Sequence, residues 1–196
     1  MADDRTTNPG LVAHRAYSLW LLPGEDDTQR LADLVVRLSR RFATRPFVPH
    51  VTIQGDIDRR LDDVATVAEG LARALPVRAW RVRGVEQSDH HFRALYLALD
   101  DADPTFAQLR ARSAAAFGTE AGLSPFPHMS LAYGTLDAAT KRDLAREFAA
   151  ELPASLTLAR LAVTLAGVGV AIASWRTLQC FALAPPAPDF ELEPSS

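Results

Sequence analysis

Pro46-Phe47-Val48-Pro49-His50-Val51-Thr52-Ile53-Gln54-Gly55 and Pro125-Phe126-Pro127-His128-Met129-Ser130-Leu131-Ala132-Tyr133-Gly134 carry one pattern twice: a Pro-Phe pair, a proline directly before a histidine, then apolar and polar residues in alternation up to a glycine. Alternation of this kind marks a half-buried strand, in which every second side chain shares a face. His50 therefore projects with Thr52, and His128 with Ser130, while Val51, Ile53, Met129 and Leu131 point the other way into a core. Each copy is preceded and followed by a helical pattern. The repeat implies two similar lobes facing each other across a cleft, each contributing one motif.

Outward from these strands, the first strand is expected over Ala16 to Leu22, stopped by Pro23-Gly24. An amphipathic helix follows, with Asp26, Asp27 and Thr28 as caps and Leu31, Leu34, Val35, Leu38 and Phe42 on its apolar side. Strand His50 to Ile53 leads to a helix from about Arg59 to Leu75. Val77 to Glu86 and His91 to Leu99 read as a hairpin joined at 87–90, and Asp103-Pro104 opens a third helix that ends near Gly118 and Gly122. Strand His128 to Tyr133, a helix opened by Asp137, and a last hairpin of Ser155 to Leu165 with Ser174 to Leu183 complete the chain. Residues 1–11 and the Pro-rich acidic stretch 185–196 lack apolar periodicity and read as tails around a domain over 12–184. The fold class expected is α+β, with antiparallel sheets lining a central cleft and helices outside.

With 196 residues, 48% of them hydrophobic, the chain is long enough for a substantial core. A net charge of -3 disfavours a surface that grips long nucleic acid electrostatically, and a small substrate fits better. No run reaches the ~20 apolar residues of a membrane span, and the polar, acidic start does not read as a signal peptide. A cytoplasmic monomer without membrane association is expected. The single cysteine, Cys180, allows no internal disulfide, and its apolar neighbours predict a buried core thiol.

Two imidazoles and two hydroxyls around one concave site suit in-line displacement at a cyclic phosphodiester. One neutral imidazole takes a proton from water, while a protonated one opposite gives a proton to the departing ribose oxygen. Hydroxyls hold the non-bridging oxygens. An ordinary histidine pKa of about 6.5 lets one ring be neutral and another protonated near neutral pH, without a metal or other cofactor.

On these residues the chain resembles the 2H phosphoesterase superfamily, and more closely its plant- and yeast-type cyclic nucleotide phosphodiesterases. The resemblance runs through Tyr17 to Pro23, Pro49 to Thr52, Phe92 to Leu99 and, most specifically, Pro127 to Gly134. It implies a bilobal α+β fold and hydrolysis of 2',3'-cyclic nucleotides or ADP-ribose 1'',2''-cyclic phosphate to a phosphomonoester. It also implies that His50 and His128 are the catalytic pair and that Thr52, Ser130 and Tyr133 bind phosphate; the sequence does not distinguish base from acid, although in the family the second motif is often assigned as water activator. Tyr133 has the wrong parity in a straight strand, so its reach requires a bend near Gly134. An aromatic residue of the first strand, Trp20 or Tyr17, is implied near the base, with core packing as the competing role for each. The additional cysteines of plant relatives have no counterpart, so their redox control does not carry over. The alternatives are an enzyme acting on RNA 2',3'-cyclic phosphate ends or 2'-5' linkages, and a non-catalytic nucleotide-binding module.

Other features point to structure rather than chemistry. Asp89-His90-His91 reads as a solvated turn, and His14 as a surface histidine. Gly167-Val168-Gly169-Val170 reads as a turn, and Ser18, Ser113 and Ser174 lack a nucleophile-elbow context. Arg78, Arg81, Arg83 and Arg93 are expected to cluster on one hairpin, where Arg81 and Arg83 share parity and could meet a substrate phosphate, with a solvated sheet face as the default.

Overall fold

The computed structural model describes residues 16–100 and 104–186. His14, Asp103, the N-terminal tail and the tail from 187 onward lie outside them. In chain order the elements are β1 (Ala16–Pro23), α1 (Glu25–Arg41), β2 (Val51–Asp58), α2 (Leu61–Ala74), β3 (Arg78–Gln87), β4 (Leu95–Leu99), α3 (Thr105–Phe117), β5 (His128–Ala132), α4 (Ala138–Ala149), β6 (Ser155–Leu165) and β7 (Arg176–Ala182). Single 3-10 turns occupy His91–Arg93 and Ile172–Ser174.

The helices form where apolar spacing and end chemistry agree. In α1 the buried Leu31, Leu34, Val35 and Leu38 lie on one face, with Glu25, Asp26 and Asp27 in the first turn and Arg40 and Arg41 in the last, each sign matching the helix dipole. It starts one residue earlier than its expected caps. Gly24 is the N-cap, Asp27 Oδ2 accepts the Thr157 N–H (3.1 Å), and Thr28 Oγ1 donates to Gly24 O (2.7 Å). At α4 the expected cap forms: Asp137 Oδ1 accepts from the amides of Ala139 (3.0 Å) and Thr140 (2.9 Å). Gly118, left-handed at φ 68°, closes α3.

All strand pairs are antiparallel. The strands form one seven-stranded sheet in the order β1-β2-β5-β4-β3-β6-β7, with β6 also pairing with β1. Between the motif strands β2 and β5 the ladder narrows to one pair, Val51 with Met129. Val51, Ile53, Met129 and Leu131 are all fully buried, as their parity predicts, in a core shared with α1, α2, α3 and α4. The face carrying His50, Thr52, His128 and Ser130 is the opposite one.

Several local expectations need correction. The second arm of the central hairpin begins at Leu95, because His91–Arg93 coils into a 3-10 turn. Strand β2 runs on through Gly55 to Asp58, carried by its pairing with β1. Cys180 is exposed. It sits on β7, whose register on β6 slips between Val163 and Thr164, and Leu178 and Phe181 are the residues turned to the core. Tyr17 is only 2% exposed and packs in the main core with Leu19 and Leu21, its parity partners on β1. That excludes it from base stacking.

Candidate active site

Both motif histidines line one open cavity of about 270 Å³, together with Thr52, Ser130 and Tyr133. Each ring is held the same way. His50 Nδ1 lies 2.6 Å from Val48 O, and His128 Nδ1 lies 3.0 Å from Phe126 O, the carbonyl two residues earlier in each case. A carbonyl can only accept, so Nδ1 carries the hydrogen, and Nε2 is left as the free nitrogen of each ring. The prolines explain the repeat. Pro49 and Pro127 restrict Val48 and Phe126 to extended backbone, which points each carbonyl at the imidazole two residues ahead.

A backbone tie and a side-chain tie bring the half-sites together. Gly55 N–H donates to Gly122 O at 2.8 Å, and the approach is so close that a Cβ on Gly122, at φ +75°, would lie 2.0 Å from Gly55 O. The buried Gln54 side chain donates to Thr119 O (3.2 Å) and Ala121 O (2.8 Å) and accepts from Ser113 Oγ (2.6 Å). The loop leading to His128 is thereby laced onto the strand that carries His50 and Thr52.

Tyr133 reaches the site by a bulge, not by a bend at Gly134. Ser130 pairs with Tyr96 but Ala132 with Leu95, so Leu131 is an extra residue, and the parity beyond it is reversed. Tyr133 then stacks on Phe47 with centroids 3.8 Å apart, and burial pushes its hydroxyl pKa up, with a hydrogen bond to Ser130 acting the other way. Trp20 lines the cavity as expected, yet its face is covered by His50: the rings stack at 3.6 Å and 11°. The Thr52 hydroxyl has no hydrogen-bond partner among the described residues, whereas Ser130 Oγ donates to Phe92 O at 2.8 Å.

Electrostatically, both imidazoles are neutral at pH 7 in the free protein. Burial pulls His50 from 6.5 down to about 4, opposed by the Val48 carbonyl and reinforced by His128. His128 also falls to about 4 through burial, opposed by the Phe126 carbonyl and reinforced by the positive charge of Arg93 and by the neighbouring His90. The expectation of one protonated ring near neutral pH therefore requires an anion in the cleft to raise it.

The sequence did not mark Phe92, Arg93 or Trp175 as site residues, and all three line the cavity. Trp175 lies edge-on to Trp20 at 5.7 Å and 5.9 Å from Tyr133. Arg93 does not join a hairpin cluster: Arg81 and Arg83 are both exposed and lie outside the cavity, and Arg78 Nη1 donates to Thr105 Oγ1. His90 is exposed but lines the cavity as well, while Asp89 pairs with Lys141. The Gly167–Val170 turn forms and rims the cleft, with Asp56 Oδ1 accepting the Val168 N–H at 2.8 Å. Among the described residues, no cluster of three or more His, Cys, Asp or Glu has a metal-binding arrangement, and no helix is long and apolar enough to cross a membrane.

A cyclic phosphodiesterase of Arabidopsis thaliana is 28% identical over 145 residues, covering 74% of this chain and 79% of that protein. Among solved structures, E. coli LigT in its apo form superposes with a TM-score of 0.56 at 14% identity, covering 87% of this chain and 98% of that one. TT0787 of Thermus thermophilus gives the same TM-score at 16% identity, with the same coverage of both chains. Those two likenesses establish the mixed α/β fold with its antiparallel sheet. Residues 58–167, more than half of the chain and including the His128 motif, match the family described as the 2'-5' RNA ligase superfamily. The chain belongs to that superfamily, the 2H phosphoesterase group that its paired motifs resemble.

Proposed function

We propose that the cleft hydrolyses a cyclic phosphodiester on ribose, a 2',3'-cyclic nucleotide or ADP-ribose 1'',2''-cyclic phosphate, to a phosphomonoester by acid-base catalysis between His50 and His128. The observation that carries this reading is the matched pair of imidazoles in one cavity, each tied through Nδ1 to a carbonyl two residues back. A binding module needs no such pair of free Nε2 atoms. The named relative from Arabidopsis thaliana supports the same reaction class.

The asymmetry of the site supports a division of labour. Arg93 places positive charge near His128 and favours its neutral form, so His128 acts as base. His50 lies flat on Trp20, and an aromatic face stabilises an imidazolium, so His50 acts as acid once the bound phosphate has raised its pKa. His128 Nε2 takes a proton from water as the water oxygen bonds to phosphorus. The bond from phosphorus to one ribose oxygen breaks, and His50 Nε2 protonates that oxygen. The products are a phosphomonoester and a free ribose hydroxyl. Thr52 donates to a non-bridging oxygen, and the step assigns nothing to a metal. In this reading the two halves of the sheet, joined at Val51 and Met129, act as two lobes about the cleft, and one chain supplies every group.

A second reading, action on RNA ends, has one observation in its favour. A further cavity of about 470 Å³ shares Trp20 and Trp175 with the cleft and is lined by Arg45 and Arg176, giving a longer anionic substrate a path. Turnover of 2',3'-cyclic AMP and ADP-ribose 1'',2''-cyclic phosphate in excess chelator, by wild type and by His50→Ala and His128→Ala, tests the proposal. Chelator-resistant turnover lost in either variant supports it. Folded wild type that turns over neither ester, yet opens cyclic ends of oligonucleotides, moves the assignment to RNA.

A further inference from the structure

Ser130 stands where the second motif is expected to offer a phosphate donor, yet its Oγ donates to Phe92 O. A serine hydroxyl has one proton, so Ser130 reaches a phosphate as donor only by giving up that carbonyl. The Tyr133 hydroxyl is likewise engaged, with Ser130, so the half of the cleft around His128 is short of a free neutral donor. The residue following Phe92 brings a charge instead.

Arg93 lines the cavity and is half-buried. Its Cζ lies 4.9 Å from the Phe126 centroid and 5.9 Å from that of Tyr96, and the same two rings lie 5.1 and 5.5 Å from the His128 ring. Two aromatic faces thus hold the guanidinium beside the second histidine. Its Nε is sealed from solvent without a hydrogen-bond partner, and among the described residues no carboxylate lies within ion-pair distance of its side chain. By contrast Arg30, Arg37, Arg41 and Arg73 each pair with an acid. A partly desolvated cation without a counterion is costly unless a ligand supplies one, and a guanidinium fork matches phosphate oxygens.

We propose that Arg93 is a phosphate-binding residue of the cleft, its Nη groups gripping non-bridging oxygens beside His128 and holding the charge that grows as water adds to phosphorus. The inference rests on the cyclic phosphodiesterase reading. The diester carries one negative charge and the phosphomonoester approaches two near neutral pH, so a fixed cation binds the transition state and product more tightly than the substrate. Arg93 exchanges no proton. Its field adds to burial in keeping His128 neutral, in surroundings that also include His90, Ser124 and Tyr96.

The test uses the full chain with Arg93→Gln and Arg93→Lys, and reads three quantities: binding of inorganic phosphate, kcat and KM for 2',3'-cyclic AMP, and the NMR titration of the His128 ring. In Arg93→Gln phosphate binding should weaken about tenfold or more and kcat/KM fall on the order of 100-fold, mainly through kcat. Its His128 should titrate at higher pH, which the loss of a purely structural contact would not produce. Arg93→Lys should keep part of the phosphate affinity. A folded Arg93→Gln protein that matches wild type in phosphate binding and turnover overturns the proposal while leaving the phosphodiesterase reading intact, and wild type that binds no phosphate overturns it too. Loss of phosphate binding in Arg93→Gln, in a protein whose wild type hydrolyses neither ester, sustains the Arg93 site and removes the reading it was joined to.

Discussion

Lowering the pH from about 7 to 5 should destabilise this protein through its two motif histidines. In the unfolded chain each titrates near 6.5; in the folded chain each is pulled to about 4. Between those values the unfolded state binds more protons, so stability is complete above 6.5, falls as pH drops, and stops falling from this source below about 4. The full displacement converts to about 3 kcal/mol for each histidine, and about 2 kcal/mol of it is already lost at pH 5. The two contributions are not independent, because each charge opposes the other. Urea unfolding of wild type and of His50→Gln across this range isolates the effect: the difference between their pH slopes cancels the carboxylates that both proteins share. Wild type should lose roughly 1 M more in urea midpoint than the variant. Parallel slopes would refute the argument, because a His50 that titrates normally cannot be desolvated as the stacked, 5% exposed ring requires.

The same shifts predict that kcat/KM, which reports the free enzyme, peaks below about pH 6.5, while kcat peaks at higher pH because bound phosphate raises the acid; pH-rate profiles with kcat/KM rising through pH 7.5 would contradict this. Gln54→Leu should cost on the order of 2–5 kcal/mol in chemical denaturation, since it strands Thr119 O, Ala121 O and Ser113 Oγ. A loss below about 0.5 kcal/mol would show that these groups find other partners. Lys141, the sole lysine, is buried and donates to Ser88 O (2.8 Å) and Asp89 Oδ1 (2.6 Å). Lys141→Met should speed amide exchange across residues 88–93 and lower kcat/KM with the fold retained; unchanged exchange there would deny it a role in holding the turn that carries His90, Phe92 and Arg93.

The motif pair was legible because strand alternation is a rigid rule: His50, Thr52, His128 and Ser130 meet on one cavity just as parity places them. The repeated proline was visible too, but its purpose, aiming the preceding carbonyl at Nδ1, emerges only in three dimensions. Where the rule bends, the reading failed. No residue type announces the bulge at Leu131 that turns Tyr133 inward. Tyr17 and Trp20 look alike as first-strand aromatics until the site fixes which face matters, and their odd separation then sends one to the core and the other to the cleft. Phe92 and Arg93 lie in a 3-10 turn and Trp175 just after another, where no periodicity assigns a direction. Cys180 was misjudged from its neighbours because a register slip on an edge strand reverses inside and outside.

The most direct test of the central claim, that two half-sites form one acid-base machine, is the double-mutant cycle of His50→Ala and His128→Ala measured by kcat on a cyclic phosphodiester. Groups that act as a unit are strongly non-additive, so the double variant should be little slower than either single one. Losses that multiply would mean that the two histidines contribute independently, and would contradict the account.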